Sequence, residues 1–594
     1  MTEIKNKQTV MNVFNWIKYE IKSCLRSLAI SKKWPEKLPF DRITVEPPRD
    51  ASNGDIATNA AMVLAKPVGI NPYDIYLPLA EGLKKLESVK SVEIIHPGFI
   101  NIRLISDIWL AQISKILELG QDFGNSNMGS GLKVNVEYVS ANPTGPLHAA
   151  HARCAVFGDA LASLLEKAGF SVIREYYIND VGSQIDKLAH SVYLRYQEVL
   201  GSSSCIPECD YPGEYLKDVA KALVMHEGDN LMNALEQEWL EPVRTFAVEL
   251  IMTNIMKDLV TMGIHIDRFS SERAIVKKNL ISHALARLEA VGLVYRGMLN
   301  PPKGKCPDDW EPRPQLLFRS TKFGDDVDRP LQKSDGSWTY FANDIAYHMD
   351  KVERGYMDMI DVFGADHGGY VNRIRAAISA ITGGQANLDV KLCQMVNMFD
   401  GGKPVRMSKR SGNFVTLSNV LDTVGPDVLR FIMLTRRNDQ TLEFDYQKVS
   451  EQSRNNPVFY VQYAYARACS VIRNAKEIFS AEDLSDFALS RVEINFLTDR
   501  NELKLSKLLA SWPRVVESAA ASHEPHRVAF YLANVAANFH ELWSKGRENA
   551  RLRFILKNER EITIARIALV RATAVVVASG LEIMGVKPMD ELRG

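Results

Sequence analysis

Apolar, β-branched positions alternate with polar ones along Lys133–Ser140 (KVNVEYVS), the period of a strand. Ala141–Leu147 then brings an asparagine, two prolines and a glycine, which is turn chemistry. From His148 the period becomes helical: Phe157, Leu161, Leu164, Leu165 and Ala168 fall on one face, and Gly169 stands where a helix-ending glycine belongs. Phe170–Tyr177 reads as a second strand. A strand–loop–helix–strand unit of this kind belongs to doubly wound α/β folds, whose ligands sit at the C-terminal ends of parallel strands.

The same periodicities organise the rest of the chain. Val10–Leu28 predicts an amphipathic helix and Asp55–Leu64 another, capped by the loop PRDASNG. Val92–Ile95, HPGF and Ile100–Leu104 predict a strand, a turn and a strand. Residues 1–125 therefore read as an α+β domain, and DFGNSNMGSG at 122–131 as a linker. The α/β unit fills 130–184. Long Glu- and Lys-rich helical patterns follow over 185–300, within an expected helical insertion at 185–335 to which no chemistry is assigned. The sheet resumes in 336–417, with a strand at Met359–Phe363, a helix from about Tyr370 and a strand near Val390–Met398. A segment at 418–454 connects to an all-α region at 455–594.

Composition narrows the class. A chain of 594 residues has room for several cores. Its 72 basic residues balance 72 acidic ones, so any nucleic-acid contact rests on local basic surface rather than a global field. MTEIKNKQTVMNVFNWIK has no signal-peptide core. The apolar run Ile567–Val577 is broken by Arg571 and too short to span a bilayer. Seven singly spread cysteines predict a reducing, cytoplasmic setting. Cys205 and Cys209, lacking a second ligand pair, read as free thiols, and no metal site is expected.

Candidate chemistry starts at His148 and His151, three residues apart on one face at a helix N-terminus, where unpaired N–H groups and the helix dipole attract phosphate. By itself such a pair is equally a helix-capping arrangement. Far downstream, GGKPVRMSKRSGNF (401–414) sets Lys403, Arg406, Lys409 and Arg410 between glycines, a pattern also met in solvated basic loops. Together, HxxH after a first strand and MSK in a glycine-flanked loop resemble the two signatures of class I aminoacyl-tRNA synthetases. SANPTGPLHAAH, REYYINDVGSQ, TYFANDIAYHMDK, VFGADH, NPVFYVQYAYAR and the C-terminal LRFIL…ASGLEIMGV narrow the resemblance to arginyl-tRNA synthetases of the bacterial type, over almost the whole chain.

The resemblance implies a class I Rossmann-like catalytic domain with an N-terminal domain that meets the tRNA elbow and a C-terminal bundle that binds the anticodon. It implies activation of L-arginine by ATP, with Mg²⁺ accompanying the nucleotide, and transfer to tRNA(Arg), generally with tRNA present already for activation. His148, His151 and Lys409 would be catalytic. Gly145, Pro146, Ala150, Arg406, Met407 and Ser408 would join them around ATP. Glu137 and Asn142 would hold the amino-acid end of arginine, Tyr340 and Asp344 its guanidinium, and His367 would line the pocket. Tyr340, Asp344, Tyr347 and Lys351 share one helical face. Tyr460, Tyr463 and Arg467 are candidate tRNA contacts, by stacking on splayed bases or else as core packing. A monomer without membrane attachment is the family habit. One residue departs: Ala150 replaces the glycine usual before the second signature histidine. The alternatives are a class I synthetase for another amino acid, a small nucleotidyltransferase, or a catalytically impaired tRNA-binding paralogue.

Overall fold

The structure is a computed structural model and describes residues 12–96, 98–202, 211–299, 313–405, 415–451, 453 and 456–592. The chain opens with α1 (Val13–Ser31), capped by the Asn12 side chain and burying Val13, Phe14, Ile17, Ile21 and Leu25 at helical spacing. Strands β1 (Val45–Glu46), β2 (Ile56–Thr58), β3 (Val89–Ile95) and β4 (Phe99–Leu104) form an antiparallel sheet in the order β1-β2-β4-β3, joined by α2 (Ala60–Val68) and α3 (Pro72–Lys84). The helix expected over Asp55–Leu64 is therefore a strand followed by a helix. Ile56 and Thr58 both point into the core and pair with β4, a tertiary contact that outweighs local helical spacing. Val10, and Pro97 in the expected HPGF turn, lie outside the described residues.

Helix α4 (Ser106–Leu119) belongs to two cores. Trp109 packs into the N-terminal cluster, while Leu110, Ile113, Ile116 and Leu117 join the main core against C-terminal helices. The glycine-rich stretch after it is more than a spacer. The Ser126, Gly129 and Gly131 amides donate to the carbonyls of Lys167, Ala168 and Gly169, closing a helix end that would otherwise leave acceptors unpaired.

The largest sheet has five parallel strands in the order β12-β11-β5-β6-β7, the last four being β11 (Asp358–Gly364), β5 (Lys133–Glu137), β6 (Ser171–Ile178) and β7 (Arg268–Ser271). Edge strand β12 is Asn387–Cys393. Helix α5 (Ala149–Lys167) connects β5 to β6 and is buried on most of its surface, with Leu161, Leu164 and Leu165 essentially inaccessible. Each such leucine contributes about 1.5–3 kcal/mol of apolar burial. Gly158 lets α5 approach β5: a Cβ there would come within 2.3 Å of the Tyr138 side chain.

Between β6 and the second half of the sheet lie α6 (Ser183–Val199), α7 (Tyr215–Glu227), α8 (Glu236–Thr261), α9 (Glu272–Lys277) and α10 (Leu280–Ala290). Antiparallel strands β8 (Val294–Gly297), β9 (Gln315–Phe318) and β10 (Arg329–Pro330) follow. The helical insertion expected at 185–335 thus also holds these strands and β7, which completes the parallel sheet. Helix α11 (Tyr340–Glu353) leads into β11, and α12 (Val371–Thr382) into β12.

The strand expected near Val390–Met398 is two strands in different sheets. Beyond β12, β13 (Val396–Asp400) pairs antiparallel with β14 (Lys403–Pro404) and parallel with β15 (Leu442–Asp445). At the break, Arg153 from α5 donates to the carbonyls of Gln394 and Met395, which frees the chain from the first ladder. Helices α13 (Leu417–Val424) and α14 (Pro426–Met433) precede β15, and α15 (Tyr446–Ser450) follows it.

The C-terminal region is helical: α16 (Pro457–Ala475), α17 (Asp486–Leu489), α18 (Arg500–Ala510), α19 (Trp512–Ser522), α20 (His526–Glu548) and α21 (Arg560–Ile583). By length and composition α21 is apolar enough to cross a membrane, but 83% of its most apolar window is buried inside the protein. It packs against α16, α20 and α4 as a core helix. The N-terminal and C-terminal regions touch directly. Glu517 on α19 accepts from Asn12, Asn15 and Ser126, and Lys507 pairs with Asp55 at 2.6 Å.

Candidate active site

The strand order reverses between β5 and β11, and the functional side chains gather at the C-terminal ends of these two strands. His148 is the N-cap of α5, and its amide donates to His151 Nδ1 at 3.3 Å. The two imidazoles stack with centroids 3.8 Å apart. Ala150 is exposed on the same first turn, and Gly145 and Pro146 lie partly exposed in the turn before it. His148 also forms a β-bridge with Thr416, and the Leu417 amide donates to the Leu147 carbonyl at 2.8 Å. The chain therefore leaves β14 at Val405, whose amide binds Met398, and returns at Thr416 beside the histidine pair. The residues expected around ATP between them, Arg406, Met407, Ser408 and Lys409, lie outside the described residues, as do Cys205 and Cys209.

Beside this helix terminus lies a buried acidic row. Glu175 on β6, Glu137 on β5 and Asp361 on β11 are register partners across three adjacent strands. Lys351 of α11 reaches the row from above, with Nζ 2.6 Å from Glu137 and 3.1 Å from Asp361. His348, one turn back, is fixed at both ring nitrogens: Nδ1 lies 2.8 Å from the Asp344 carbonyl and Nε2 2.9 Å from the Asp361 carboxylate. A carbonyl only accepts, so Nδ1 carries a proton, and Nε2 facing a carboxylate carries the other. Burial opposes that imidazolium, but Asp361 raises the His348 pKa nonetheless. Burial likewise works against ionised Asp361, yet Lys351 and His348 hold it down at about 2.

Glu137, His348 and Asp361 carry atoms close enough together to suggest a metal centre. The donor set does not fit one: the Lys351 ammonium already sits between the two carboxylates, and His348 has no lone pair to give.

Asp344, on the same helix, accepts a hydrogen bond from Tyr370. Burial pushes its carboxyl up to about 6 against that hydrogen bond and the nearby His348. Glu272, at the start of α9, is buried and bonded to Asn343; burial carries it up to about 7, with Asp344 and Asp180 adding repulsion. Its second oxygen has no partner among the described residues. Tyr177 and Tyr347 stack at 4.1 Å between these acids. A cation placed beside these two carboxylates would favour their ionised forms and offset the burial that raises them.

Of the other expected residues, Tyr340 is exposed on the first turn of α11 and would meet a Cβ on Gly182 at 3.5 Å through its hydroxyl, so it overhangs the β6–α6 loop. Asn142 accepts from Asn179 at 2.7 Å and donates to Gln184 at 3.0 Å, which ties it to the same loop. His367 stands at the C-terminal end of β11 but is largely exposed, with its ring against Phe363. In the C-terminal region, Arg467 lies over the rings of Tyr463 and Trp543 and bonds to Tyr463 Oη and His540, while the Tyr460 carbonyl meets His540 at 3.1 Å. Sequence reasoning left out Glu272, Tyr370 and Asp180. The serine before Glu272 is the cap of a short helix, the one local signal available there.

Comparison with known proteins gives the family. Residues 15–104 match the family described as arginyl tRNA synthetase N terminal domain, residues 112–461 that of tRNA synthetases class I (R), catalytic domain, and residues 461–592 the DALR anticodon binding domain. An arginine–tRNA ligase of Parvibaculum lavamentivorans is 55% identical over 98% of this chain and all of its own length. The chain belongs to the arginyl-tRNA synthetase family. A crystal structure of an arginyl-tRNA synthetase described as putative from Campylobacter jejuni superposes with TM-score 0.71 at 30% identity, covering 82% of this chain and 100% of that one. The Thermus thermophilus arginyl-tRNA synthetase shares the fold, with TM-score 0.73 at 21% identity over 98% of this chain and 100% of its own. As a member of this family the chain has the class I α/β architecture, and the small-nucleotidyltransferase alternative falls away.

Proposed function

We propose that the pocket walled by Asp344 and Glu272 takes the guanidinium of L-arginine, and that the N-terminus of α5 takes the phosphates of ATP, in an enzyme that charges tRNA with arginine. The observation that supports this most is placement. Glu137 ends β5, His148 begins the helix after it, and Asp344 is tied to Glu137 through His348, Asp361 and Lys351. A zwitterion held by Glu137 and Asn142 at its amino-acid end then presents its carboxylate toward the α5 terminus.

In this reading the arginine carboxylate attacks the α-phosphorus of ATP and pyrophosphate leaves. The terminal ribose hydroxyl of tRNA then attacks the activated carbonyl and releases AMP. No protein nucleophile is needed; preorganised positive charge and in-line positioning lower the barrier. His148, His151 and the N–H groups of α5 sit on one side, with Lys409 and Arg406 supplied by the segment that precedes Thr416, the residue bridged to His148. Mg²⁺ is assigned to the ATP phosphates alone. We place the enzyme in the cytoplasm as a monomer free of membrane. Tyr460, Tyr463 and Arg467 are proposed to meet tRNA through the exposed edge of their cluster.

The test is aminoacylation of tRNA with each amino acid in the presence of ATP and Mg²⁺, together with ATP–pyrophosphate exchange with and without tRNA. Arginine alone should be charged. Charging of an uncharged side chain in its place would overturn the pocket assignment.

A further inference from the structure

A row of three carboxylates across adjacent parallel strands is electrostatically costly. Neighbouring strands lie about 4.8 Å apart, so Glu175, Glu137 and Asp361 stand at near-contact distance in a buried face of the sheet. Glu175, at one end, is answered locally: Arg354 donates to both its oxygens at 2.8 and 2.9 Å, Ser270 donates to one, and Asn135 donates to the other. Asp361, at the other end, has His348. Among the described residues Glu137, in the middle, has a neutral donor, Ser140 Oγ at 2.9 Å, and one cation, Lys351. The Lys351 ammonium is wholly buried, faces the Tyr347 ring at 4.5 Å and divides itself between Glu137 and Asp361.

We propose that Lys351 is a positioning residue for arginine: an internal cation that holds the Glu137 carboxylate aimed, so that this central group can receive the α-ammonium of the substrate. It touches no reacting atom. It acts through Glu137 and, by way of Asp361 and His348, on the backbone of Asp344 at the guanidinium end. One side chain thus sets both ends of the amino-acid site. The inference rests on the proposed arginine pocket.

The local backbone gives the same impression of an imposed geometry. Val139 and Ser140, just past Glu137, adopt φ of 69° and 35°, a region that β-branched residues avoid. Ser140 Oγ thereby reaches Glu137, and the Tyr177 amide donates back to that hydroxyl at 3.0 Å. The carboxylate is clamped from below by the strained turn and from above by Lys351.

The experiment is steady-state kinetics of Lys351→Met in the full-length enzyme, with tRNA present, from pH 6 to 9. Without the ammonium, the carboxylates of the row face one another and Asp344 with only the His348 imidazolium and Arg354 as counter-charges, a like-charge cluster that favours sharing one proton near neutrality. The arginine KM should rise at pH 7 by roughly 30-fold or more, the loss of a buried charge partner, with the ATP KM within about threefold of wild type and kcat at saturation little changed. The arginine KM should fall again toward pH 9 as the shared proton leaves. A second variant, Lys351→Met with Asp361→Asn, removes both charges and should bring the arginine KM at pH 7 back to within about tenfold of wild type.

An unchanged arginine KM in Lys351→Met overturns the proposal. So does a flat pH profile with arginine and ATP use reduced alike. If Lys351→Met does not fold, the double variant decides: an arginine KM still raised by roughly 30-fold or more at pH 7 overturns it. A wild-type enzyme that charges no arginine would instead overturn the pocket assignment itself.

Discussion

Tyr370 donates its hydroxyl to Asp344 across the gap between the start of α12 and the middle of α11, so the carboxylate that faces the proposed guanidinium site is held from behind. Burial nevertheless leaves it with a pKa of about 6. An empty site therefore holds Asp344 only just ionised at neutral pH. A bound guanidinium stabilises the ionised form, so protons and arginine compete. Through Asp344 alone, the arginine KM should be flat above pH 7 and rise about tenfold for each pH unit well below 6; a contribution from Glu272 would add a rise that starts nearer pH 8. Initial rates at saturating ATP and tRNA check this; a KM independent of pH between 5 and 7 would count against it.

The same shift has a stability consequence of opposite sign to a salt bridge. The folded value of about 6 lies above the ordinary 3.8, so the folded state binds the proton more tightly. Ionising the group in the empty enzyme lowers stability, an effect absent below pH 3.8 and complete above about 6. Asp344→Asn should therefore stabilise the arginine-free enzyme at pH 7.5 by on the order of 1–3 kcal/mol, read as a higher melting temperature, and leave it unchanged near pH 4. The arginine KM should rise at least about a hundredfold, with the ATP KM near normal. A fall in melting temperature with both KM values impaired would mean that Asp344 is structural.

Glu272 titrates near neutrality for the same reason. If it joins Asp344 around the guanidinium, arginine binding at pH 7 should release about half a proton from this residue. Calorimetry in buffers of different ionisation enthalpy measures that release directly, and Glu272→Gln should abolish it. Retention of the full release in Glu272→Gln would place the proton elsewhere.

The sequence carried some of this and not the rest, for physical reasons. The unit from Lys133 to Tyr177 was legible because strand and helix periodicities change cleanly at the turn, and α11 was legible because Tyr340, Asp344, Tyr347 and Lys351 repeat at helical spacing. Strand β7 was not: four residues, RFSS, carry too few apolar positions to stand out, and parallel pairing with β6 makes them a strand. Glu272 and Tyr370 share nothing local with Asp344. They reach it only because α9, α11 and α12 converge on one end of the sheet, a contact that no spacing along the chain encodes. The acidic row is the same kind of fact, since register across β6, β5 and β11 places Glu175, Glu137 and Asp361 side by side.

Lys409 separates binding from chemistry. It lies outside the described residues, in the segment before Thr416, which is bridged to His148 beside the proposed phosphate site. Lys409→Ala should lower the rate of arginyl-adenylate formation far more than it weakens arginine binding, by roughly a hundredfold or more, in keeping with the loss of one preorganised charge at the developing phosphate charge. Rapid-quench measurement of adenylate formation in the presence of tRNA, set beside the arginine dissociation constant, tests this. A larger change in binding than in rate would remove Lys409 from the catalytic set.

Ala150 gives the last prediction, because its methyl group is exposed on the first turn of α5, between the two signature histidines, at the position where the family usually bares its backbone to the nucleotide. The methyl adds one layer of atoms between the helix and an adenine stacked against it. Ala150→Gly should therefore lower the ATP KM, by an amount set by one lost steric contact, about threefold to tenfold, while leaving the arginine KM alone. Helix propensity works the other way, since glycine is about 1 kcal/mol worse than alanine inside a helix. A first-turn residue carries less of that penalty, so the melting temperature should fall only slightly. Pyrophosphate exchange at varied ATP, with tRNA and saturating arginine, gives the answer. An ATP KM that stays the same or rises in the glycine variant means that adenine lies away from Ala150.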